Sequence, residues 1–297
     1  MNHIKDQIHC ERAYRMGLSG KGIGVAVLDT GIFLHRDFDS RVTGFADMVN
    51  RRNFAYDDCG HGTHICGIIG GSGRMSGGRY SGIAPGCNLI MVKVLDRKGN
   101  GYSSDVLAGI SWVLERKEQL GIRILNISVG ACSKRGMSEN SALVKGVNRA
   151  WDAGLVVVVA AGNNGPRTMS ITTPGISRKV ITVGCSDDDR EVLVGGNRMV
   201  DYSGRGPTAA CICKPDLVAP GCSVVSCSSR ADKYTIKSGT SMSTPIVSGA
   251  VALLLERFPD MSNKDVKLRL RESSVDIGLP RNQQGWGLLN VEKMIGK

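Results

Sequence analysis

Ser238-Gly239-Thr240-Ser241-Met242-Ser243-Thr244-Pro245 leads straight into the apolar run 246–255. A turn of small residues followed by such a run reads as the entry to a buried helix, expected here over 244–258, with Ser241 at or near its N-terminus. The first turn of a helix offers backbone N–H groups without intrahelical partners and the positive end of the helix dipole. Both favour negative charge forming beside the serine, so Ser241 is a candidate nucleophile. Taken alone it would equally be an N-cap serine.

The rest of the chain supplies a base and an orienting carboxylate. Asp29 closes the apolar stretch 24–28, and His61 lies in Cys59-Gly60-His61-Gly62-Thr63-His64, just before another run of small and apolar residues. Asp, His and Ser in that chain order is one of three orders in which the hydrolytic triad occurs. Val27-Leu28-Asp29-Thr30-Gly31, His61-Gly62-Thr63-His64 and Gly239-Thr240-Ser241-Met242-Ser243-Thr244-Pro245 resemble the three catalytic blocks of the subtilisin-like serine proteases. The resemblance runs from about residue 8 to residue 290.

That resemblance implies an α/β fold with three αβα layers around a mainly parallel central sheet, and a single catalytic domain over 1–297. It implies a serine endopeptidase that works through an acyl-enzyme. Ser241 would attack the scissile carbonyl, His61 would take its proton and pass it to the leaving amine, and Asp29 would fix the His61 tautomer and stabilise the imidazolium. Ala160-Ala161-Gly162-Asn163-Asn164-Gly165 resembles the segment that carries the oxyanion-hole asparagine, with Asn163 rather than Asn164 in the matching place. A left-handed turn position is the plain alternative for that asparagine.

Substrate binding is implied in the same way. Asn126-Ile127-Ser128-Val129-Gly130 resembles the strand that pairs with an extended peptide, and Lys98-Gly99-Asn100-Gly101 resembles the loop on the peptide's other side. The expected substrate-binding residues are Ser128, Gly130, Gly99, Gly101 and Gly162, used mostly through their backbones as in strand addition. Ala131 stands where many relatives have a second glycine, and its methyl group would narrow the pocket mouth. No carboxylate lies in 128–131, so the residue before the scissile bond is expected to be large and apolar, or loosely specified, and not basic. Arg97 and Lys98 read as a solvated loop, with acidic residues upstream in the substrate as the alternative. Thr172-Thr173-Pro174-Gly175 resembles a loop with a cis proline, so a cis Thr173–Pro174 bond is expected.

Patterning read without the resemblance agrees. Near-continuous apolar runs at 24–28, 89–95, 122–127, 155–160 and 180–183 read as strands buried on both faces. Segments 61–70, 103–119, 139–153, 244–258 and 263–272 read as covering helices. Asp29, Asn126 to Ser128 and Asn163 then follow the carboxyl ends of strands, the ligand edge of an open α/β sheet. A chain of 297 residues, 41% hydrophobic and with 39 glycines, suits a compact enzyme of this class. The net charge of +11 raises nucleic acid as a partner. No Lys/Arg run exceeds two residues and no zinc-finger or RNA-binding motif is visible, so the charge reads as a solvated basic surface. Gly20-Lys21-Gly22-Ile23-Gly24 precedes its strand, whereas a dinucleotide site needs its glycines after one. His64 has no acidic partner of the H-E-x-x-H kind and reads as structural. The expected partner is a peptide or protein substrate, with no nucleic acid and no membrane; the oligomeric state is left open.

Several features depart from the secreted family members. Those carry a calcium-binding loop in the helix that starts at the catalytic histidine. The matching stretch 70–80 holds no Asp, Glu or Asn and adds Arg74 and Arg79, so calcium is not expected there. No cofactor is expected to be required, although backbone carbonyls near Thr173 and Ile176 leave room for a weak cation site. Cys211-Ile212-Cys213 lacks metal-ligand spacing. The N-terminus is polar, 10–17 reads as a helix of the domain, and the strand ending at Asp29 begins near residue 23, so neither signal peptide nor propeptide is expected. Ten scattered cysteines without a signal read as free thiols of a reducing cytoplasm. Secretion as a mature fragment is the alternative. A narrow-specificity processing protease and a silent peptide-binding member are the competing functions, and the complete triad speaks against the second.

Overall fold

The computed structural model describes residues 1–130 and 139–296. Its strands are β1 (Gly24–Asp29), β2 (Val42–Asp47), β3 (Asn88–Lys93), β4 (Ile122–Ile127), β5 (Val156–Ala160), β6 (Ile181–Cys185), β7 (Val192–Val194), β8 (Asn197–Met199), β9 (Leu217–Ala219), β10 (Val224–Cys227) and β11 (Tyr234–Lys237). Seven of them form one parallel sheet in the order β2-β3-β1-β4-β5-β6-β9. The other four form two antiparallel hairpins, β7 with β8 and β10 with β11.

Strands β1, β5 and β6 are buried along their whole length, as their mainly apolar sequences require of strands covered on both faces. The helices are α1 (Asn2–Gln7), α2 (Glu11–Arg15), α3 (His61–Gly70), α4 (Ser103–Arg116), α5 (Ala142–Asp152), α6 (Thr240–Arg257), α7 (Asn263–Ser273), α8 (Arg281–Gln284) and α9 (Val291–Ile295). One layer contains α3 and α6, which pack on each other and on the sheet; α4 and α5 pack on each other and on β1 and β5. The expected helix–sheet–helix layering is what forms. Strand order reverses about β1, whose neighbours are β3 on one side and β4 on the other. Its carboxyl end therefore lies at the switch point where open α/β sheets place their ligands.

Most expected elements lie within three residues of their predicted bounds, and one difference bears on function. The helix expected over 244–258 begins at Thr240, so Pro245 lies inside it and Ser241 is its second residue. Proline removes one helix hydrogen bond. Here the first turn is held instead by Met242 N–H donating to the Gly239 carbonyl at 2.9 Å and by the Thr244 hydroxyl donating to the Thr240 carbonyl at 2.8 Å. Gly239 enters the helix at φ +139°, a backbone state that other residues rarely adopt. Beyond this first turn α6 is buried from Met242 to Leu255, apolar on all sides, as a helix at the centre of a core should be. Strands β2 and β9 and both hairpins are additions to the sequence reading. They are short or half-exposed, and so lack the long apolar runs by which the others were identified.

Candidate active site

Four sequence-predicted residues meet at the carboxyl edge of the sheet. Asp29 is the last residue of β1 and fully buried. His61 is the first residue of α3, and its Nδ1 lies 2.7 Å from Asp29 Oδ1 and 2.9 Å from Oδ2. A ring nitrogen held this close to a carboxylate carries the proton, which leaves Nε2 as the acceptor facing the cleft. Burial works to lower the His61 pKa, but the charge and hydrogen bond of Asp29 outweigh it and the value is raised.

Ser241 lies in the first turn of α6, where its backbone N–H has no intrahelical partner. Its Oγ donates to the backbone carbonyl of Ser128 at 2.7 Å. The hydroxyl is thus turned toward the expected substrate strand, and a rotation about its Cα–Cβ bond is needed to direct the proton to the imidazole. Catalytic hydrogen bonds commonly tighten only once substrate is bound. Asn163 follows β5, and its side-chain carbonyl accepts from both the N–H and the hydroxyl of Thr240 at 3.0 Å. With the oxygen occupied twice, the amide nitrogen is the end left to face the cleft.

One continuous cleft is lined by His61, Ser241, Asn163, Ser128, Gly130, Gly99 and Gly162. The walls expected on either side of a peptide, 98–101 and 128–130, are thus brought together. Gly101 lines an adjoining cavity of about 230 Å³ with Leu95, Val106, Val129, Leu143 and Pro174. Side chains at Gly130 or Gly162 would collide with Thr172, 2.2 Å from its Oγ1 and 2.4 Å from its Cγ2. These are positions where only glycine keeps the wall flat. Lys98 and Lys237 line the cleft, and among the described residues no carboxylate does. The expected narrowing by Ala131 lies outside the described residues. Thr173–Pro174 is cis, as anticipated, and Thr173 and Ile176 are both buried.

Several functional supports escaped the sequence reading. Asp57 accepts the Thr30 hydroxyl and the N–H groups of Cys59 and Gly60 on one oxygen, and the N–H and hydroxyl of Thr63 on the other. It fixes the turn that presents His61. Lys93, buried beside Asp29 in the sheet register, donates to the carbonyls of Thr30 and Leu95 and to Asp58. Asn126 donates to the Ser128 hydroxyl and accepts from Ser248, both at 2.9 Å, which ties β4 to α6. Thr240, which clamps Asn163, also accepts from the Gly162 N–H at 3.2 Å.

His64 is structural, as expected. Its Nε2 donates to the carbonyls of Val224 and Thr235, and burial, with Lys237 and His61 nearby, pushes its pKa down to about 3. In the stretch 70–80, Met75 N–H donates to Asp37 Oδ1 at 2.9 Å, while the Tyr234 hydroxyl donates to Asp37 Oδ2 at 2.7 Å. The chain itself thus satisfies the buried carboxylate next to that loop.

The profile of peptidase S8, the subtilase family, matches residues 20–287. Serine protease AprX of Bacillus subtilis (strain 168) is 42% identical over 285 residues, a match that takes in 90% of this chain and 64% of AprX. Subtilisin DY of Bacillus licheniformis is 33% identical over 287 residues, 96% of this chain and 95% of that protein. Among solved structures, Sphericase superposes with a TM-score of 0.77 at 31% identity, covering 92% of this chain and 93% of its own. With the Asp29–His61 contact, the serine-bearing helix and the parallel sheet already described, these matches show that the chain belongs to the subtilase family of subtilisin-like serine proteases.

Proposed function

We propose that this chain is an endopeptidase whose nucleophile is Ser241, whose base is His61, whose orienting carboxylate is Asp29 and whose oxyanion hole is the Asn163 amide with the Ser241 N–H. The observation that carries this reading is the pairing of His61 Nδ1 with Asp29 at 2.7 Å in the cleft that Ser241 and Asn163 also line. A peptide laid along 128–130 brings a backbone N–H to the Ser128 carbonyl and displaces the Ser241 hydroxyl from it. The freed hydroxyl passes its proton to His61 Nε2 as the oxygen bonds the scissile carbonyl carbon. The oxyanion is met by the Asn163 amide and the N–H at the head of α6. His61 returns the proton to the leaving amine, and water then hydrolyses the ester by the same steps.

The adjoining cavity with Leu95, Val106, Val129 and Leu143 supports an apolar side chain a few residues upstream of the scissile bond. Lys98 and Lys237 in a cleft without a described carboxylate support a preference against basic residues at the bond itself. All nine described cysteines are free, which supports the reading of a reducing, cytoplasmic setting. The test is labelling by a serine-directed fluorophosphonate with casein cleavage alongside. Labelling confined to Ser241, with both signals lost in Ser241→Ala, is expected; labelling that survives the substitution overturns the assignment.

A further inference from the structure

A second cluster of reactive side chains lies behind the nucleophile segment and takes no part in the hydrolysis above. Cys185 ends β6, Asp187 follows it, Tyr202 enters after the β7–β8 hairpin, and Cys222 sits in the turn between β9 and β10. Their polar atoms converge. Cys185 Sγ donates to Asp187 Oδ1 at 3.1 Å and lies 3.2 Å from the Tyr202 hydroxyl, which in turn is 3.1 Å from Cys222 Sγ. Cys222 Sγ donates to the backbone carbonyl of Asp187 at 2.7 Å. The two sulfurs and an Asp187 carboxylate oxygen all lie within 4.8 Å of one another. Cys185 and Tyr202 are fully buried beside Val194, whereas Asp187 and Cys222 are half-buried, which leaves one side open.

We propose that Cys185, Asp187 and Cys222 bind a thiophilic divalent cation of the zinc class, with the Tyr202 hydroxyl as a fourth donor. Two sulfurs with oxygen suit zinc or cadmium; calcium and magnesium take oxygen ligands. Tetrahedral zinc with Zn–S of about 2.3 Å and Zn–O of about 2.0–2.2 Å sets sulfur–oxygen edges of about 3.5 Å. The sulfur–oxygen hydrogen bonds of 3.1 and 3.2 Å are a few tenths of an ångström shorter, so the ion enters with a small expansion toward the open side. Without a cation both thiols keep their protons as donors, Cys185 to the Asp187 carboxylate and Cys222 to the Asp187 carbonyl. Binding exchanges both S–H bonds for sulfur–metal bonds and releases two protons to solvent, with no change of oxidation state.

The turn that carries Cys222 also holds the nucleophile segment. Asp187 Oδ1 accepts from the N–H groups of Gly221 and Cys222. The Gly221 carbonyl accepts from Gly239 N–H at 3.0 Å, and the Pro220 carbonyl from the Ser243 hydroxyl at 3.1 Å. A methyl group on Gly221 would lie 2.8 Å from Cys185 Sγ and 2.4 Å from Ser243 Oγ, so the turn is held tightly between the thiols and α6. Expansion of the cluster therefore shifts the first turn of α6 and lowers kcat; this second half rests on the peptidase reading.

The binding test does not rest on it. Reduced Ser241→Ala protein is titrated with cadmium, reading thiolate-to-metal absorption and proton release in weak buffer. One cadmium and two protons per chain are expected. Cys222→Ser, and Cys185→Ala at the buried position, should each weaken binding by about 100-fold, at the top of the range for losing even an outer-shell partner. A Cys211→Ser/Cys213→Ser double variant and Cys227→Ser should leave the signal intact. A signal that survives Cys222→Ser, or that disappears with Cys211 and Cys213, overturns the site. With the active enzyme, cadmium should lower kcat, and this loss should be absent in Cys222→Ser. Equal inhibition of both overturns the coupling alone.

Discussion

Thr240 grips the side-chain carbonyl of Asn163 twice, with its N–H and its hydroxyl each at 3.0 Å. The asparagine amide cannot flip without losing both bonds, so its N–H2 faces the cleft before substrate arrives. Asn163→Ala should lower kcat by about 10²–10³-fold, or about 2.7–4 kcal/mol, the size found for the same residue type in a subtilisin. Thr240→Val removes one of the two restraining bonds, which are worth about 0.5–1.5 kcal/mol each. Its expected effect is roughly a tenfold lower kcat with KM unchanged. A change in KM alone would assign Thr240 to substrate binding instead.

Asp29 raises the His61 pKa from its ordinary 6.5. Activity needs the neutral ring, so the acid limb of kcat/KM should lie above that of free imidazole. Asp29→Asn should move the limb to lower pH and reduce kcat by about 10⁴-fold, as the same change does in another protease fold. For stability the sign is opposite. The contact stabilises the fold below the unfolded-state pKa, and that contribution is lost as pH rises through the folded one. A pH profile that does not move in Asp29→Asn would show that Asp29 does not set the His61 pKa.

Calcium should not stabilise the chain. The loop 70–80 offers no carboxylate, and the oxygens of neighbouring Asp37 already accept from Met75 N–H and the Tyr234 hydroxyl. A ligand raises Tm only through binding to the folded state. Scanning calorimetry with millimolar calcium, or with a calcium-selective chelator, should give one Tm. A rise on adding calcium would point to a site elsewhere, and the carbonyls near Thr173 and Ile176 would be examined first.

Buried thiols limit stability in alkali. Burial raises Cys10 and Cys87 from 9.0 to about 12 each. A raised thiol contributes stability that is complete below the unfolded pKa and lost as pH rises through the folded one. Tm should therefore fall across the window between roughly pH 9 and 12, and Cys87→Ala should flatten that fall. An unchanged slope would show that Cys87 does not contribute to it.

Much of the fold was readable because the sheet interior leaves a simple record. Strands β1 and β5 are apolar runs, and Asp29 and Asn163 fall at or just beyond their ends. Helix α6 starts four residues before the expected bound and holds Pro245 inside it, whereas proline is commoner at the first helical position. Here the opening is set by the backbone of Gly239 and a threonine side chain instead. The supporting residues Ser248 and Thr240 were unreadable for a different reason. Each acts on a partner distant in sequence, and no local pattern distinguishes a serine that bonds Asn126 from one that merely interrupts an apolar stretch.

The contact between Ser241 Oγ and the Ser128 carbonyl gives the nucleophile a resting partner. The hydroxyl is occupied by the same atom that an incoming backbone must claim, so the signal to react is the substrate's own main chain. Small esters and fluorophosphonates, which offer no N–H to that carbonyl, must break the contact unaided and should react more slowly. Peptidyl reagents of equal chemical reactivity should therefore label it faster, by an amount that measures how firmly the hydroxyl is held.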